Sequence, residues 1–112
     1  MDCIFCKIIN GDIPSSKVYE DDMITAFFDI NPEAKIHVLI LPKAHIESAD
    51  QINESNSCYV KHIFEKIPQI AKLSGITNGY RIITNSGPDS RQSVMHLHFH
   101  LLGGEELPEH IK

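Results

Sequence analysis

Three histidines stand at alternate positions near the end of this 112-residue chain, at His96, His98 and His100. The intervening and following apolar residues are Leu97, Phe99 and Leu101. Successive side chains of a β-strand point to opposite faces, so the pattern predicts a strand over residues 94–102 with an imidazole face and an apolar face. The apolar face can anchor the strand on a core. The imidazole face indicates a functional site, because imidazole is a common metal ligand and the usual acid or base near neutral pH.

The composition is that of one ordinary globular domain spanning residues 1–112. Hydrophobic residues make up 42% and charged residues 22% of the chain, and such a chain can bury one core without disulfides. The formal net charge of −5 argues against nucleic-acid or anionic-membrane binding, because both require a basic surface. A small phosphorylated ligand remains compatible with this charge, because N–H groups, hydroxyls and imidazoles can bind it.

The distribution of apolar residues favours a cytoplasmic location. The chain shows no basic segment followed by an apolar run near its start, so no signal peptide is evident. The most apolar stretch, Ile36–Leu41, contains His37 and is followed by Pro42, and it is far too short to span a membrane. In the reducing cytoplasm we expect the three cysteines to be free thiols or metal ligands.

The periodicity of the remaining segments predicts an α+β fold. In chain order the predicted elements are a short helix within Cys3–Asn10, strands at Lys17–Glu20, Met23–Ile30 and Ile36–Leu41, a long helix containing Val60–Ala71, and strands at Tyr80–Thr84 and Val94–Leu102. Short turns between neighbouring strands favour antiparallel pairing. One sheet face must pack on the long helix, which leaves the other face for a site or a partner subunit.

The ends of the long helix carry recognisable capping residues. Asn53 and Ser55 are candidate N-caps, and Gly75 is the candidate C-cap. Pro68 lies inside the helical pattern, and it predicts a kink or a break into two pieces.

Cys3 and Cys6 have the spacing of metal ligands. A CxxC pair by itself is compatible with half of a zinc site, a redox pair or two buried thiols. Two histidines would complete a tetrahedral Cys₂His₂ site, and His45 and His96 are the candidates. Cys58 falls in the helical region, where we expect a buried apolar role.

A polar loop leads into the histidine strand. It contains Asn85, Ser86, Gly87 and Ser93, which suit an oxyanion or phosphate but are also typical of a plain surface turn. His37, at the start of an apolar strand, can share the sheet face of the three histidines or serve as a structural residue.

Five segments, which follow one another along the chain in the family's order, resemble the histidine triad (HIT) family. The resemblance is specifically to its nucleotide-binding phosphoramidase branch and its zinc-containing bacterial-type members. The defining segment is His96-Leu-His98-Phe-His100-Leu-Leu. The other four are Ile4–Ile9, Ala26–Pro32, His37–His45 and Gln92–His96. They resemble the family's base-binding segment, ribose-binding strand and turn, central strand, and loop before the histidines, and the match covers nearly the whole chain.

The resemblance implies a HIT-like fold and a nucleotide hydrolase. The implied fold is a five-stranded antiparallel sheet with one long helix and a short N-terminal helix, assembled as a homodimer with a continuous ten-stranded sheet. The implied ligands are purine nucleoside monophosphate derivatives. The implied reaction is hydrolysis of a purine nucleoside phosphoramidate, as by an adenosine 5′-monophosphoramidase, through a nucleotidyl-histidine intermediate and without a catalytic metal.

The resemblance also implies roles for individual residues. His98 is the nucleophile at the α-phosphorus, His100 and Ser93 hold phosphate oxygens or assist the leaving group, and His37 supports the histidines by hydrogen bonding. Asn85 contacts phosphate or ribose, and Asp29 accepts from the ribose hydroxyls. The residues implied to sandwich the base are Ile4, Phe5, Ile8, Phe27 and Ile30. The implied ligands of a structural zinc are Cys3, Cys6, His45 and His96.

The chain departs from the family pattern in the loop that would hold the phosphate and near the C-terminus. Ser90 and Arg91 stand where two glycines are common, Glu105 replaces a common basic residue, and the chain contains no tryptophan. Other functions therefore stay open. They are a dinucleoside polyphosphate hydrolase, a nucleotide-binding regulatory module with little turnover, and a metal-binding protein that uses the triad as ligands.

Overall fold

Five strands form one antiparallel sheet in the computed structural model, which describes residues 3–111. The strands are β1 (Lys17–Glu20), β2 (Ile24–Phe28), β3 (Ile36–Pro42), β4 (Tyr80–Ile83) and β5 (Phe99–Gly103), in spatial order β1-β2-β3-β5-β4. The helices are α1 (Ile4–Ile9) and α2 (Ser57–Ser74), with short 3₁₀ turns at Ala49–Gln51 and Pro88–Ser90. The predicted α+β fold, with its antiparallel sheet and its two helices, is confirmed. Within residues 3–111, no helix is long and apolar enough to cross a membrane.

Alternation along the strands gives the sheet two different apolar faces. The helix face packs against α2, and its buried residues include Ile24, Ala26, Val38, Ile40, Leu101 and, from α2, Ile63, Ile67 and Ile70. The site face packs against α1, and its buried residues include Phe27, Leu39, Leu41 and, from the N-terminal segment, Cys3, Phe5 and Ile8. A slip of one residue in strand pairing would exchange the two faces, so burial fixes the register.

The long helix α2 runs through Pro68 as one continuous element of 18 residues. The predicted break is therefore wrong. Ile63 and Ile67 before the proline and Ile70 after it are all buried against the sheet, while Pro68 itself is exposed. Tertiary packing on both sides thus outweighs the hydrogen bond that proline removes, because most helix stability in proteins comes from the packed face.

The two ends of α2 differ in how well the sequence predicted them. The N-cap is Asn56, and its side chain makes no capping hydrogen bond. The predicted N-caps, Asn53 and Ser55, instead build the preceding turn, where Oδ1 of Asn53 accepts the main-chain N–H of Ser55 at 2.9 Å. The predicted C-cap is confirmed, because Gly75 has a φ of 95°, a conformation that suits glycine.

The histidine strand is shorter than its sequence pattern predicts. Strand β5 begins at Phe99, so His96 and His98 precede the ladder. The main-chain N–H of Leu97 donates to the carbonyl oxygen of Ile46 at 2.6 Å, and the hydroxyl of Thr84 donates to the carbonyl oxygen of His98 at 2.7 Å. These bonds replace ladder pairing, yet the alternation continues, because Leu97 still packs into the core of the helix face.

Asp21 connects the turn between β1 and β2 to helix α2. Its Oδ2 accepts from Nε2 of His62 at 2.6 Å and from the hydroxyl of Tyr19 at 2.7 Å. Its Oδ1 accepts the main-chain N–H groups of Met23 and Ile24. Burial raises the pKa of the Asp21 carboxyl, but these hydrogen bonds outweigh it and hold the pKa well below its usual range. The carboxylate therefore stabilises the fold in its charged form.

We expect Asp21→Asn to lower the free energy of unfolding at pH 7 by roughly 1–3 kcal/mol, because the charged acceptor of His62 and Tyr19 is lost. A carboxyl with a lowered folded pKa stabilises above its unfolded pKa of about 4, and this contribution disappears as the pH falls. Urea unfolding at pH 7 and pH 3 measures both effects, with Asp22→Asn on the same turn as an exposed control. A difference from wild type that grows toward acid pH would contradict this role.

Candidate active site and metal centre

Imidazole rings gather on the site face where β3 pairs with β5. His37 of β3 and His100 of β5 are joined by a hydrogen bond of 2.8 Å between Nε2 of His37 and Nδ1 of His100. The ring of His98 lies 5.1 Å from that of His100, centroid to centroid. His37 and His98 are buried, whereas His100 is partly exposed. His37 therefore lies on the same sheet face as His98 and His100, which is one of the two possibilities that its sequence position left open.

The main chain fixes which nitrogen of His98 is free. Nδ1 of His98 lies 2.7 Å from the carbonyl oxygen of His96, and a carbonyl oxygen can only accept a hydrogen bond. Nδ1 therefore carries the ring proton, and Nε2 of the neutral ring keeps its electron pair. The ring of Phe5 packs edge-on against this imidazole at a centroid distance of 5.0 Å. His98 can thus present an oriented nitrogen nucleophile.

The histidines of the site are held in their neutral forms. Burial lowers the pKa of His98, and the hydrogen bond to the carbonyl of His96 offsets only part of that effect. Burial also lowers the pKa of His37, against the opposing field of Asp29. Burial and the neighbouring imidazoles His98 and His37 lower the pKa of His100 to about 4. Near neutral pH each ring therefore has one donor nitrogen and one acceptor nitrogen.

Asp29 lies at the margin of the histidine group. Its Oδ1 accepts the main-chain N–H of Asn31 at 2.8 Å, and its Oδ2 lies 3.5 Å from Nε2 of His37. The side chain is 19% exposed, so ligand hydroxyl groups can reach it. A carboxylate in this position can accept hydrogen bonds from a sugar while it maintains the turn.

The five apolar residues predicted to sandwich a base divide into two groups. Phe5, Ile8 and Phe27 are buried in one cluster on the site face, where the rings of Phe5 and Phe27 lie 5.9 Å apart. Ile4 and Ile30 are 49% and 92% exposed. The first group forms an apolar layer beside His98, and the second group is accessible to a ligand.

The polar loop before the triad is organised by a buried glutamine. Oε1 of Gln92 accepts the main-chain N–H of Gly87 at 3.0 Å, and its Nε2 donates to the carbonyl oxygens of Glu47 and Val94. Ser93, the next residue, is exposed. Sequence reasoning assigned Gln92 no site role, because a single glutamine in a polar loop gives no sign that it is buried.

The predicted loop residues Asn85 and Ser93 flank this arrangement. Asn85 is partly buried two residues after β4, and Ser93 is exposed three residues before His96. Their contacts with a phosphate remain predictions. Ser86 faces a different neighbour, since its hydroxyl lies 3.1 Å from that of Ser48.

A second constellation lies at the start of α1. The ligand atoms of Cys3, Cys6, His45 and His96 all lie within 4.8 Å of one another. Nδ1 of His96 is 3.3 Å from Sγ of Cys3 and 3.6 Å from Sγ of Cys6, and Nδ1 of His45 is 3.3 Å from Sγ of Cys6. Residues separated by more than 90 positions in the chain thus converge on one point.

These donors fit a tetrahedral zinc ion. Zinc bonds of about 2.3 Å to sulfur and 2.0 Å to nitrogen give sulfur–nitrogen edges of about 3.5 Å, close to the three observed distances. Nε2 of His96 donates to the carbonyl oxygen of Pro42 at 2.8 Å, so its Nδ1 is free to bind a metal. Burial, followed by the hydrogen bond to Cys3, raises the pKa of the Cys6 thiol, so a neighbouring cation would favour the Cys6 thiolate.

Cys3 and Cys6 belong to the metal centre, whereas Cys58 does not. The four protein ligands leave no position for a reacting water, so the centre is of the structural kind. Cys58 lies apart from it on α2 and is exposed, which corrects the predicted buried role. Cys58 is exposed because it precedes Ile63, where the buried stripe of α2 begins.

Comparison with known proteins agrees with the fold. Residues 2–109 match the family model described as scavenger mRNA decapping enzyme C-term binding. The chain is 46% identical to a HIT family hydrolase from Clostridium thermocellum, with a TM-score of 0.95 over 99% of this chain and 97% of that one. It is 50% identical to a histidine triad protein from Clostridium difficile, with a TM-score of 0.93 over 98% and 96% of the two chains.

A plant relative bears on the metal centre. The 14 kDa zinc-binding protein of Zea mays is 42% identical over 106 residues, which cover 93% of this chain and 83% of that protein. The 46% identity over almost the whole length of a named HIT family hydrolase places the chain in this class of proteins. The chain belongs to the histidine triad (HIT) family.

Proposed function

We propose that this protein hydrolyses purine nucleoside phosphoramidates through a covalent nucleotidyl-histidine. The observation that carries the proposal is the hydrogen bond from Nδ1 of His98 to the carbonyl oxygen of His96. It leaves Nε2 of a neutral, buried imidazole as the nucleophile. The similarity to a named HIT family hydrolase supports hydrolase chemistry in general.

The reaction requires two displacements at the α-phosphorus. In the first, Nε2 of His98 forms a bond to phosphorus, the phosphorus–nitrogen bond of the substrate breaks, and the departing amine takes a proton. In the second, water attacks the same phosphorus, the bond to His98 breaks, the proton that the water loses restores the group that protonated the amine, and a nucleoside monophosphate is released. Phosphoryl chemistry needs positioning and charge stabilisation more than a strong base, and His100 and Ser93 supply hydrogen bonds to the phosphate or the leaving group.

The nucleotide would bind across the site face beside α1. Asp29 would accept hydrogen bonds from the ribose, because among residues 3–111 its Oδ2 has only the contact of 3.5 Å to Nε2 of His37. The base would pack on the apolar layer of Phe5, Ile8 and Phe27 and be covered by Ile4 and Ile30. Asn85 would contact the phosphate or the ribose from the loop after β4.

The assembly we propose is a homodimer with a continuous ten-stranded sheet. Strand β4 pairs with β5 alone and lies at the edge of the sheet, and Tyr80 at its start is 42% exposed. An edge strand presents unpaired main-chain groups, so a second copy can extend the sheet there. The compact fold, with its charge of −5, is consistent with the proposed cytoplasmic location and with the absence of nucleic-acid and membrane partners.

The metal centre would hold a structural zinc ion. The donor geometry supports this assignment, and so does the name of the related zinc-binding protein of Zea mays. When bound, zinc would fix α1 to the segment before β5 and would supply no catalytic chemistry. Cys3, Cys6, His45 and His96 would be its ligands.

A hydrolysis screen tests the proposed activity. We expect release of AMP from adenosine 5′-phosphoramidate and of GMP from the guanosine compound, without added divalent metal. Intact-mass measurement after a rapid alkaline quench, which preserves the acid-labile phosphorus–nitrogen bond, should show a chain heavier by one nucleotidyl group. A dinucleoside polyphosphate as sole substrate provides the comparison. Faster cleavage of that compound would favour the polyphosphate hydrolase, and tight AMP binding without any hydrolysis would favour a regulatory module.

A further inference from the structure

The main-chain N–H of Glu33 donates a hydrogen bond to Nδ1 of His37 at 3.0 Å. A main-chain N–H can only donate, so Nδ1 of His37 must be an unprotonated acceptor. The neutral ring then carries its proton on Nε2. A protonated His37 with hydrogens on both nitrogens would oppose this N–H, so the bond also disfavours the cation.

The proton position of His37 determines that of His100. Nε2 of His37 lies 2.8 Å from Nδ1 of His100. Because Nε2 of His37 carries the proton, it donates, and Nδ1 of His100 accepts. The remaining proton of a neutral His100 is therefore on its Nε2. Oδ2 of Asp29, at 3.5 Å from Nε2 of His37, stabilises the same donor.

We infer that the main-chain N–H of Glu33 is a positioning group that sets the tautomers of His37 and His100, so that His100 presents an N–H donor to the substrate. This inference rests on the proposed function and deepens it. It makes His98 and His100 chemically unequal: Nε2 of His98 is an electron-pair donor, and Nε2 of His100 is a proton donor to a phosphate oxygen or to the leaving amine. His98 thereby acts as the nucleophile and the neighbouring His100 as the acid.

The hydrogen bond from the main-chain N–H of Glu33 to Nδ1 of His37 also argues against a metal ion at a second cluster of possible ligands. Ligand atoms of Asp29, His37 and His100 also lie within 4.8 Å of one another. A metal ion there would need the electron pair of Nε2 of His37, which the Glu33 N–H forces to be protonated. This contrasts with His96, whose Nδ1 is left free by the bond from Nε2 to the carbonyl of Pro42.

The turn that carries the Glu33 N–H is held at both ends. Asp29 accepts the N–H of Asn31 before it, and the N–H of Lys35 after it donates to the carboxylate of Glu105. The side chain of Glu33 is exposed. Substitution at this position can therefore remove either the side chain alone or the side chain together with the N–H.

The first test uses the wild-type protein without ligand. NMR of isotopically labelled protein detects nitrogen–nitrogen coupling through N–H···N hydrogen bonds, and imidazole nitrogen shifts report tautomers. We expect couplings from the Glu33 amide to Nδ1 of His37 and from Nε2 of His37 to Nδ1 of His100. A proton on Nδ1 of His37, or on Nδ1 of His100, would overturn the inference. Because no substrate is involved, this result does not depend on whether the proposed hydrolysis is correct.

The second test compares Glu33→Pro with Glu33→Ala, which both remove the carboxylate but differ in the N–H. We expect Glu33→Ala to keep the wild-type tautomers and Glu33→Pro to show mixed tautomers at both rings. In turnover, Glu33→Pro should have a kcat about threefold to tenfold below that of Glu33→Ala. Equal tautomers in two folded variants would overturn the inference, and the wild-type couplings decide the matter if the proline variant does not fold.

A third comparison separates this role from general support of the fold. His37→Gln replaces the ring with an amide whose nitrogen donates to His100 without help from Glu33. In that background we expect the proline and alanine variants at position 33 to have equal kcat values and equal His100 tautomers. A proline effect that persists in the His37→Gln background would show that the N–H acts only on the turn, and would overturn the inference.

Discussion

His98→Gln is expected to lower the rate of phosphoramidate hydrolysis by at least about 10³-fold, to the limit of detection. Glutamine has a similar length, but its amide nitrogen has no electron pair available for attack on phosphorus. The nucleotidyl adduct should disappear from the intact-mass spectrum, while AMP binding is largely kept. Steady-state assays and quench experiments measure the two effects.

A matched control for this variant is His62→Gln. His62 is also a hydrogen-bonded histidine and is partly buried, but it lies on α2 and contacts Asp21 rather than the site. We expect its specific activity to remain within about twofold of wild type. Retained turnover or a retained adduct in His98→Gln would refute the proposed mechanism.

Cys6→Ala is expected to abolish zinc binding and to lower the free energy of unfolding by roughly 3 kcal/mol or more, because a structural metal site contributes directly to folding. For a domain of this size, that corresponds to a midpoint lowered by more than about 10 °C. Wild-type protein should contain about one zinc per chain. Elemental analysis and thermal unfolding measure these quantities.

The exposed Cys58 provides the control for the zinc experiment. Cys58→Ala should keep the metal content and the unfolding midpoint of wild type. His98→Gln should also keep its zinc, since Nε2 of His98 is not among the four converging ligand atoms. Zinc that survives Cys6→Ala and is lost in His98→Gln would place the metal at the triad and contradict the proposed centre.

The zinc experiment also has a consequence for the nucleophile. Phe5 lies between the two cysteine ligands in sequence and packs against the rings of both His96 and His98. Helix α1 has only six residues, too few to be stable alone. We therefore expect metal-depleted protein to lose part of its activity along with its stability.

The elements with strong periodicity were predictable from the sequence. The β3 segment and the buried stripe of α2 follow directly from their apolar patterns, and Gly75 ends α2 as its type predicts. The break at Pro68 was wrong because local propensity cannot report the isoleucines that hold both halves of α2 on the sheet. The early start predicted for β5 was wrong because Leu97 bonds to the distant Ile46, which no local pattern can reveal.

The candidate site was predictable in its residue types but not in its proton arrangement. Alternation placed His96, His98 and His100 on one side, and the spacing of Cys3 and Cys6 was compatible with a metal centre, a redox pair or two buried thiols. The sequence could not show that a carbonyl at Pro42 or an amide at Glu33 would face a particular ring nitrogen. Those contacts depend on main-chain positions brought together from separate strands and turns.

The three tautomer-setting bonds of this site all come from the peptide backbone, through the carbonyls of His96 and Pro42 and the N–H of Glu33. Every amino acid carries a carbonyl, and every one except proline carries an N–H. Side chains at positions 33 and 42 can therefore change, by evolution or by design, without altering which ring nitrogens carry protons. Proline at position 33 is the exception, because it removes the N–H. An insertion or deletion in the turn over residues 31–35 would move the N–H itself. The number of residues in this turn therefore matters more than which amino acids they are.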